Sequence, residues 1–137
     1  MFELVSCGGT PFLHITAGST ALKKGQLVKY NSGVADAVAA EHSGATILGL
    51  CMEDAEAGAE AYVARVGGQI LKIPYYASAS DQALADADLG KIFDINVASG
   101  EMTLDTDDTS GFCILTRYDN ANAMAYVIIP ATLLYTV

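Results

Sequence analysis

The chain has 137 residues and a formal net charge of −9, from 16 acidic and 7 basic side chains. That length fits one domain able to bury a core, and such a field repels phosphate backbones, so nucleic acid is not an expected partner. Aromatics make up 8% with no Trp, against 13 glycines and three prolines, which predicts many turns and a tight core of small residues without large anchors.

Taken in chain order, residues 1–6 contain no basic segment followed by an apolar stretch, so a signal peptide is not expected. Phe2 and Leu4 alternate with Glu3 and Val5, and Cys7-Gly8-Gly9 supplies a hinge. Residues 1–20 therefore form either an N-terminal arm or an edge strand, with a strand over 12–16 that starts after Pro11. Asn31-Ser32-Gly33 is a strong turn signal between strands 27–30 and 34–38. Residues 47–52 are almost continuously apolar, as a strand buried on both faces is.

Glu56, Gly58 and Glu60 make a polar entry to a strand over 61–66, which sets Tyr62, Ala64 and Val66 on one face. Gly67-Gly68 reads as a tight turn returning into 70–73, hence a hairpin. After Pro74, residues 75–90 read as a connector in which Ser80-Asp81 caps a short helix through Leu89, ended by Gly90. Residues 91–97 alternate again, placing Phe93, Ile95 and Val97 together, and Ser99-Gly100 turns the chain into 101–104. Strands over 112–116 and 125–129 complete the set. The apolar stretch 123–134 is too short to cross a bilayer and is interrupted by Tyr126, Pro130 and Thr132, so it reads as a core strand with a tail and no membrane is expected.

Period-two runs broken by Gly, Asn, Asp and Ser predict an all-β fold, a small β-barrel or β-sandwich built of hairpins, with at most one or two short helices. No internal repeat emerges, so the chain reads as a single β-rich domain: the segment 1–20, a first β half over 21–74, the connector 75–90 and a second β half over 91–137.

Asp105-Thr-Asp107-Asp108-Thr-Ser-Gly111 clusters the oxygen ligands that hard cations prefer. The twelfth position counted from Asp105 is Thr116 and not Glu, so a turn built on side-chain-to-backbone bonds is the expected state. His14 sits within a strand and His42 in a loop, and nothing local brings either to a cysteine with a third group to orient the base. Neither Gly8-Gly9 nor Gly67-Gly68 opens a helix or precedes the Lys-Ser/Thr of a phosphate loop. The acidic residues form no distinguishing dyad. Cys7, Cys51 and Cys113 are odd in number and widely spaced, and are expected as free thiols in a reducing cytoplasm. No catalytic residue, cofactor or metal is expected.

Several segments together resemble the capsid decoration, or cement, proteins of tailed bacteriophages. They are Ile15-Thr-Ala17 leading to Leu22-Lys-Lys-Gly-Gln-Leu-Val28, then Gly44-Ala-Thr-Ile-Leu-Gly49, then Glu53-Asp-Ala-Glu-Ala-Gly-Ala-Glu60 entering the strand at Tyr62. Leu89-Gly-Lys-Ile-Phe-Asp94 and Leu104-Asp-Thr-Asp-Asp-Thr109 are similar to a segment of phage virion proteins of this kind. The resemblance implies a non-enzymatic virion protein, made in the host bacterial cytoplasm, that decorates the outer surface of a phage head and stabilises it. Its implied partner is the major capsid protein, with self-association, a trimer favoured. In that picture the segment 1–20 is the arm, and Phe2, Leu4, Phe12 and His14 are the expected capsid contacts. The alternatives are a small-molecule or carbohydrate-binding β-barrel, which would need a lined cavity and whose sugar platform the scarcity of aromatics disfavours, and an accessory subunit of a barrel-type hydrolase or lyase, which the absence of a catalytic set disfavours.

Overall fold

The computed structural model describes residues 1–5, 12–75 and 83–135. Its strands form two antiparallel sheets. The smaller has the order β2 (Phe12–Thr16), β6 (Glu60–Ala64), β5 (Ile47–Cys51), β3 (Leu27–Asn31) and β4 (Val34–Ala37). The larger has the order β1 (Glu3–Leu4), β7 (Leu71–Pro74), β11 (Met124–Ile128), β10 (Cys113–Asp119), β8 (Ile92–Ala98) and β9 (Glu101–Asp105). The fold is all-β, a small sandwich with a strong curl. Helical structure among the described residues is limited to single 3-10 turns at Asp86–Asp88 and Ala131–Leu133.

The short turns form where two-residue loops demand them. Asn31 pairs with Val34 and Ala98 with Glu101, so Ser32-Gly33 and Ser99-Gly100 each occupy a two-residue loop. All four residues have positive φ, at 51° and 93° in the first loop and 51° and 80° in the second. That is the type I′ geometry whose twist matches the flanking strands.

The small sheet curls until its ends meet: Ala17 bridges Ala35 in parallel, and the Gly18 N–H donates to the Ala35 carbonyl at 2.9 Å. Inside the curl lie Ala17, Leu22, Val28, Ala35, Leu48, Cys51, Ala55, Ala61 and Val63. Four of these nine are alanines, because a narrow closed interior has room for little more. The second core lies between the sheets and holds Phe2, Leu27, Ile47, Leu50, Leu71, Phe93, Met102, Phe112 and Val127 among others. Large anchors therefore do exist: three of the four phenylalanines are fully buried here, against the expectation of a small-residue-rich core without large anchors. Strand β5 serves both cores. Between the pairs Val28–Gly49 and Lys29–Ile47 it carries the extra residue Leu48, a bulge beside Gly49, so Ile47 and Leu50 face one core while Leu48 and Cys51 face the other. A Cβ at Gly49 would stand 2.0 Å from the Ala64 carbonyl oxygen, so this close approach requires glycine.

Other sequence expectations need correction. The stretch around Gly67-Gly68 is not a hairpin: β6 pairs with β2 and β5, whereas β7 pairs with β1 and β11. The two glycines carry the chain from one sheet to the other, and Gly68 still has the positive φ of 72° that a sharp turn needs. Tyr62 is 37% exposed and does not share an environment with the buried Ala64 and Val66. Val97 is 42% exposed, unlike Phe93 and Ile95, because β8 runs past the core toward its hairpin tip. The expected helix over 80–89 is, in its described part, the single turn Asp86–Asp88 followed by Gly90 at φ 85°; its proposed cap at Ser80-Asp81 lies outside the described residues, as does the Cys7-Gly8-Gly9 hinge. The described end of the connector is pinned by side chains. Asn120 Nδ2 donates to the Leu84 carbonyl at 2.7 Å, the Leu84 N–H returns to Asn120 Oδ1 at 3.1 Å, and the Tyr118 hydroxyl donates to Asp86 at 2.7 Å.

Candidate functional site

The four expected contact residues fall in different environments. Phe2 is 1% exposed and sits in the core between the sheets, tied by its N–H to the Gly25 carbonyl at 2.9 Å. Leu4 is half-buried in β1, which forms the outer edge of the larger sheet against β7. Phe12 is 54% exposed, and His14 follows it on the outward face of β2, an edge strand of the smaller sheet. Of the four, only Phe12 and His14 share a surface. His14 lies opposite Tyr62, with ring centroids 4.4 Å apart at 70°, and its Nδ1 is 2.8 Å from Glu60 Oε1. Within the described residues, both stretches of the 1–20 segment are thus edge strands of the protein's own sheets.

A carboxylate cluster joins two loops to strand β8. Asp94, 2% exposed, interrupts the apolar alternation of β8, and both its oxygens accept from the Glu41 N–H at 3.0 and 2.9 Å. Its own N–H donates to the Asp108 carbonyl at 3.0 Å. Glu41 is held at φ 60°, a costly region for a side chain larger than Asn. Gly111 packs so closely that a Cβ there would lie 2.1 Å from the Asp94 Cα. One oxygen each from Glu41, Asp94 and Asp108 lie within 4.8 Å of one another, a donor set of the type hard cations take. The bonds Asp94 already accepts describe a staple that fastens the 38–46 loop to β8. The sequence offers no local signal for it, since Glu41 and Asp94 are 53 residues apart.

The Asp105–Gly111 loop has the turn chemistry its composition suggests. The Asp107 N–H donates to Asp105 Oδ1 at 3.1 Å, and both the N–H and the hydroxyl of Ser110 donate to Asp108 Oδ1, at 2.8 and 2.5 Å. The Ser110 hydroxyl, then its N–H, holds the Asp108 carboxyl below the usual carboxylate range.

Cys51 and Cys113 are free and buried. Burial, with a smaller contribution from the Asp94 charge, pushes the Cys113 thiol far up. Burial also raises Cys51, whose thiol donates to the Glu53 carbonyl at 3.0 Å. Such thiols are poor nucleophiles at neutral pH. Cys7 lies outside the described residues. His42 is lowered by burial, with its Nε2 3.2 Å from the Thr46 hydroxyl. Among the described residues, no hydrogen bond joins a histidine to a cysteine.

Two shallow grooves lie among the described residues. One of about 230 Å³ lies among Phe2, Leu4, Lys24, Leu50 and Met52, and one of about 270 Å³ among Val5, Ile70, Thr116, Arg117 and Tyr126. Both fall below the roughly 300–1,000 Å³ of small-molecule pockets. Beside the second groove, the outer face of the larger sheet carries isoleucines where an antiparallel sheet facing water usually carries polar residues. Ile92 pairs with Ile114, and Ile114 with Ile128. Sequence reasoning missed them because they sit inside runs such as Cys113-Ile114-Leu115 and Val127-Ile128-Ile129, where inward and outward residues are equally apolar.

No protein-family model matches this chain, and no curated protein is similar enough to count as a match.

Proposed function

We propose that this protein is a structural component of a phage virion that binds the outside of the assembled capsid and stabilises it, without catalysing a reaction. The observation that favours this reading is where the apolar surface lies. Phe12 and Tyr62 on the small sheet, and Val5, Ile70 and Ile92 on the large one, stand on open faces 37–54% exposed. Both interiors are filled by side chains, and the two grooves are small. Broad open faces suit docking to a large protein surface, and they serve a ligand-binding barrel poorly.

Assembled shells offer composite sites at subunit junctions that free subunits lack. A protein that binds only the assembled state stabilises it by mass action, and three linked copies would add avidity without any one tight contact. Co-sedimentation with heads lacking the protein, followed by heating, tests the reading. The expected result is binding to heads but not to unassembled subunits, with a raised disruption temperature. Absence of binding, or binding with no rise in that temperature, rejects it.

A further inference from the structure

We infer, building on the capsid reading, that the face meeting the shell is the outer surface of the larger sheet, through a cross-strand stripe of Ile92, Ile114, Ile128, Ile70 and Val5. Register places the first three side by side across β8, β10 and β11. Val127 pairs with Leu71, so the next step brings Ile70 alongside Ile128, and the Val5 N–H donates to the Ile70 carbonyl at 3.1 Å. Val5, Ile70 and Ile92 are 50%, 44% and 39% exposed, and Ile114 and Ile128 are half-buried. Five β-branched residues thus form one continuous apolar row on a face that water alone would leave polar.

The occupant is a protein surface that is apolar at its centre and carries a carboxylate at its margin. The adjoining row is Glu3, Lys72, Tyr126 and Arg117. Lys72 is neutralised by Glu3 at 3.3 Å. Arg117 lies over the Tyr126 ring at 3.9 Å and makes no ion pair within 4 Å among the described residues; the Asp119 carboxyl, lowered mainly by the hydrogen bonds it accepts from Asn122, is lowered further by the Arg117 charge. In a chain where acids outnumber bases 16 to 7, an unpaired guanidinium at the margin of an apolar row is a socket for a partner's acid. The same row of a second copy would offer Arg117 a single carboxylate, Glu3, which Lys72 already engages. An anionic lipid surface would meet a chain of charge −9.

Size points the same way. Four strand-to-strand steps span about 19 Å, an area on the order of 200 Å². A stable free pair needs about 800 Å² from each partner. The stripe is too small to hold a lone partner and suits one weak contact repeated over a lattice.

The test uses the full chain and heads lacking the protein, with the Ile70→Glu/Ile92→Glu double variant, Arg117→Ala, and Val97→Glu near the β8–β9 hairpin tip, an exposed apolar residue outside the stripe, as control. Folding is checked by circular dichroism and melting. The expected result is that the double variant loses about tenfold or more in head affinity. Arg117→Ala should lose less, with a flatter salt dependence, while Val97→Glu binds like the wild type. If the wild type binds and the folded double variant binds equally, the stripe is overturned and the capsid reading stands. If the wild type fails to bind heads, both fall together. Flotation of the wild type with neutral lipid vesicles, or a dimer in sedimentation that the double variant abolishes, would overturn the occupant named here.

Discussion

Two phenylalanines ten positions apart show how a residue's role depends on what lies above it. Phe2 is sealed between the sheets, and Phe12 stands in water. Phe2→Ala should therefore cost about 3–5 kcal/mol through lost transfer energy and the cavity left behind. Phe12→Ala should stay within about 0.5 kcal/mol. Urea unfolding of both variants measures this, and similar midpoints for the two would contradict the burial assigned to Phe2. The alternation Phe2-Glu3-Leu4-Val5 announces a strand but not which of its faces is covered. Thiols give a second test at this scale. Cys51 and Cys113 should resist a thiol reagent in the native protein and both react once it is denatured. Native-state reaction of both at the rate of a free thiol would mean that the cores are open.

At the scale of elements, the hairpins closed by two-residue turns were legible and the long-range partners were not. Ser32-Gly33 and Ser99-Gly100 demand positive φ at both positions, a local requirement that the residues themselves express. Serine is not the best residue there. Ser32→Asn and Ser99→Asn should each raise stability by a few tenths to about 1 kcal/mol, because Asn tolerates the left-handed region better. Gly33→Ala or Gly100→Ala should lower it by about 1–2 kcal/mol. Thermal melts of the four variants read both directions, and a destabilised Asn variant would argue against the type I′ assignment. Gly67-Gly68 carries a similar local signal but a different outcome. The strand after it finds its partners at β1 and β11, 50 or more residues away in each direction along the chain, and no local pattern encodes that choice.

For the molecule as a whole, the charge of −9 is met on the surface by acids that organise loops. Asp108 and Asp119 are held below the usual carboxylate range mainly by the side chains of Ser110 and Asn122, and Asp88 by the Ala85 N–H and then Lys91. Each folded-state value is depressed, so each contributes stability that is present above the ordinary value of 3.8 and lost as pH falls through the folded value. These groups are half-buried at the surface, and solvent keeps each contribution small. An Asp108→Asn/Asp119→Asn variant should melt slightly below the wild type at neutral pH and converge with it under strong acid. A gap that widened on acidification would reverse the sign and refute the assignment. Sheet pairings that span the chain should also make refolding slow, in the range of roughly milliseconds to seconds. Stopped-flow fluorescence from the tyrosines would detect a microsecond folder as a signal already complete at the first reading.

What the sequence determined by itself was everything set by neighbours in the chain: the all-β class, the positions of most strands, the type I′ turns and the Asx turns of the Asp105–Gly111 loop. The tertiary structure alone decided which apolar faces are covered. It drew β1 and β7 into the larger sheet, sealed Phe2, joined Glu41 to Asp94 and left Ile92, Ile114 and Ile128 in a row facing outward. The physical reason is the period of the strand. Alternation fixes two faces, but when both are apolar only the packing of one sheet against the other selects the face that water is excluded from.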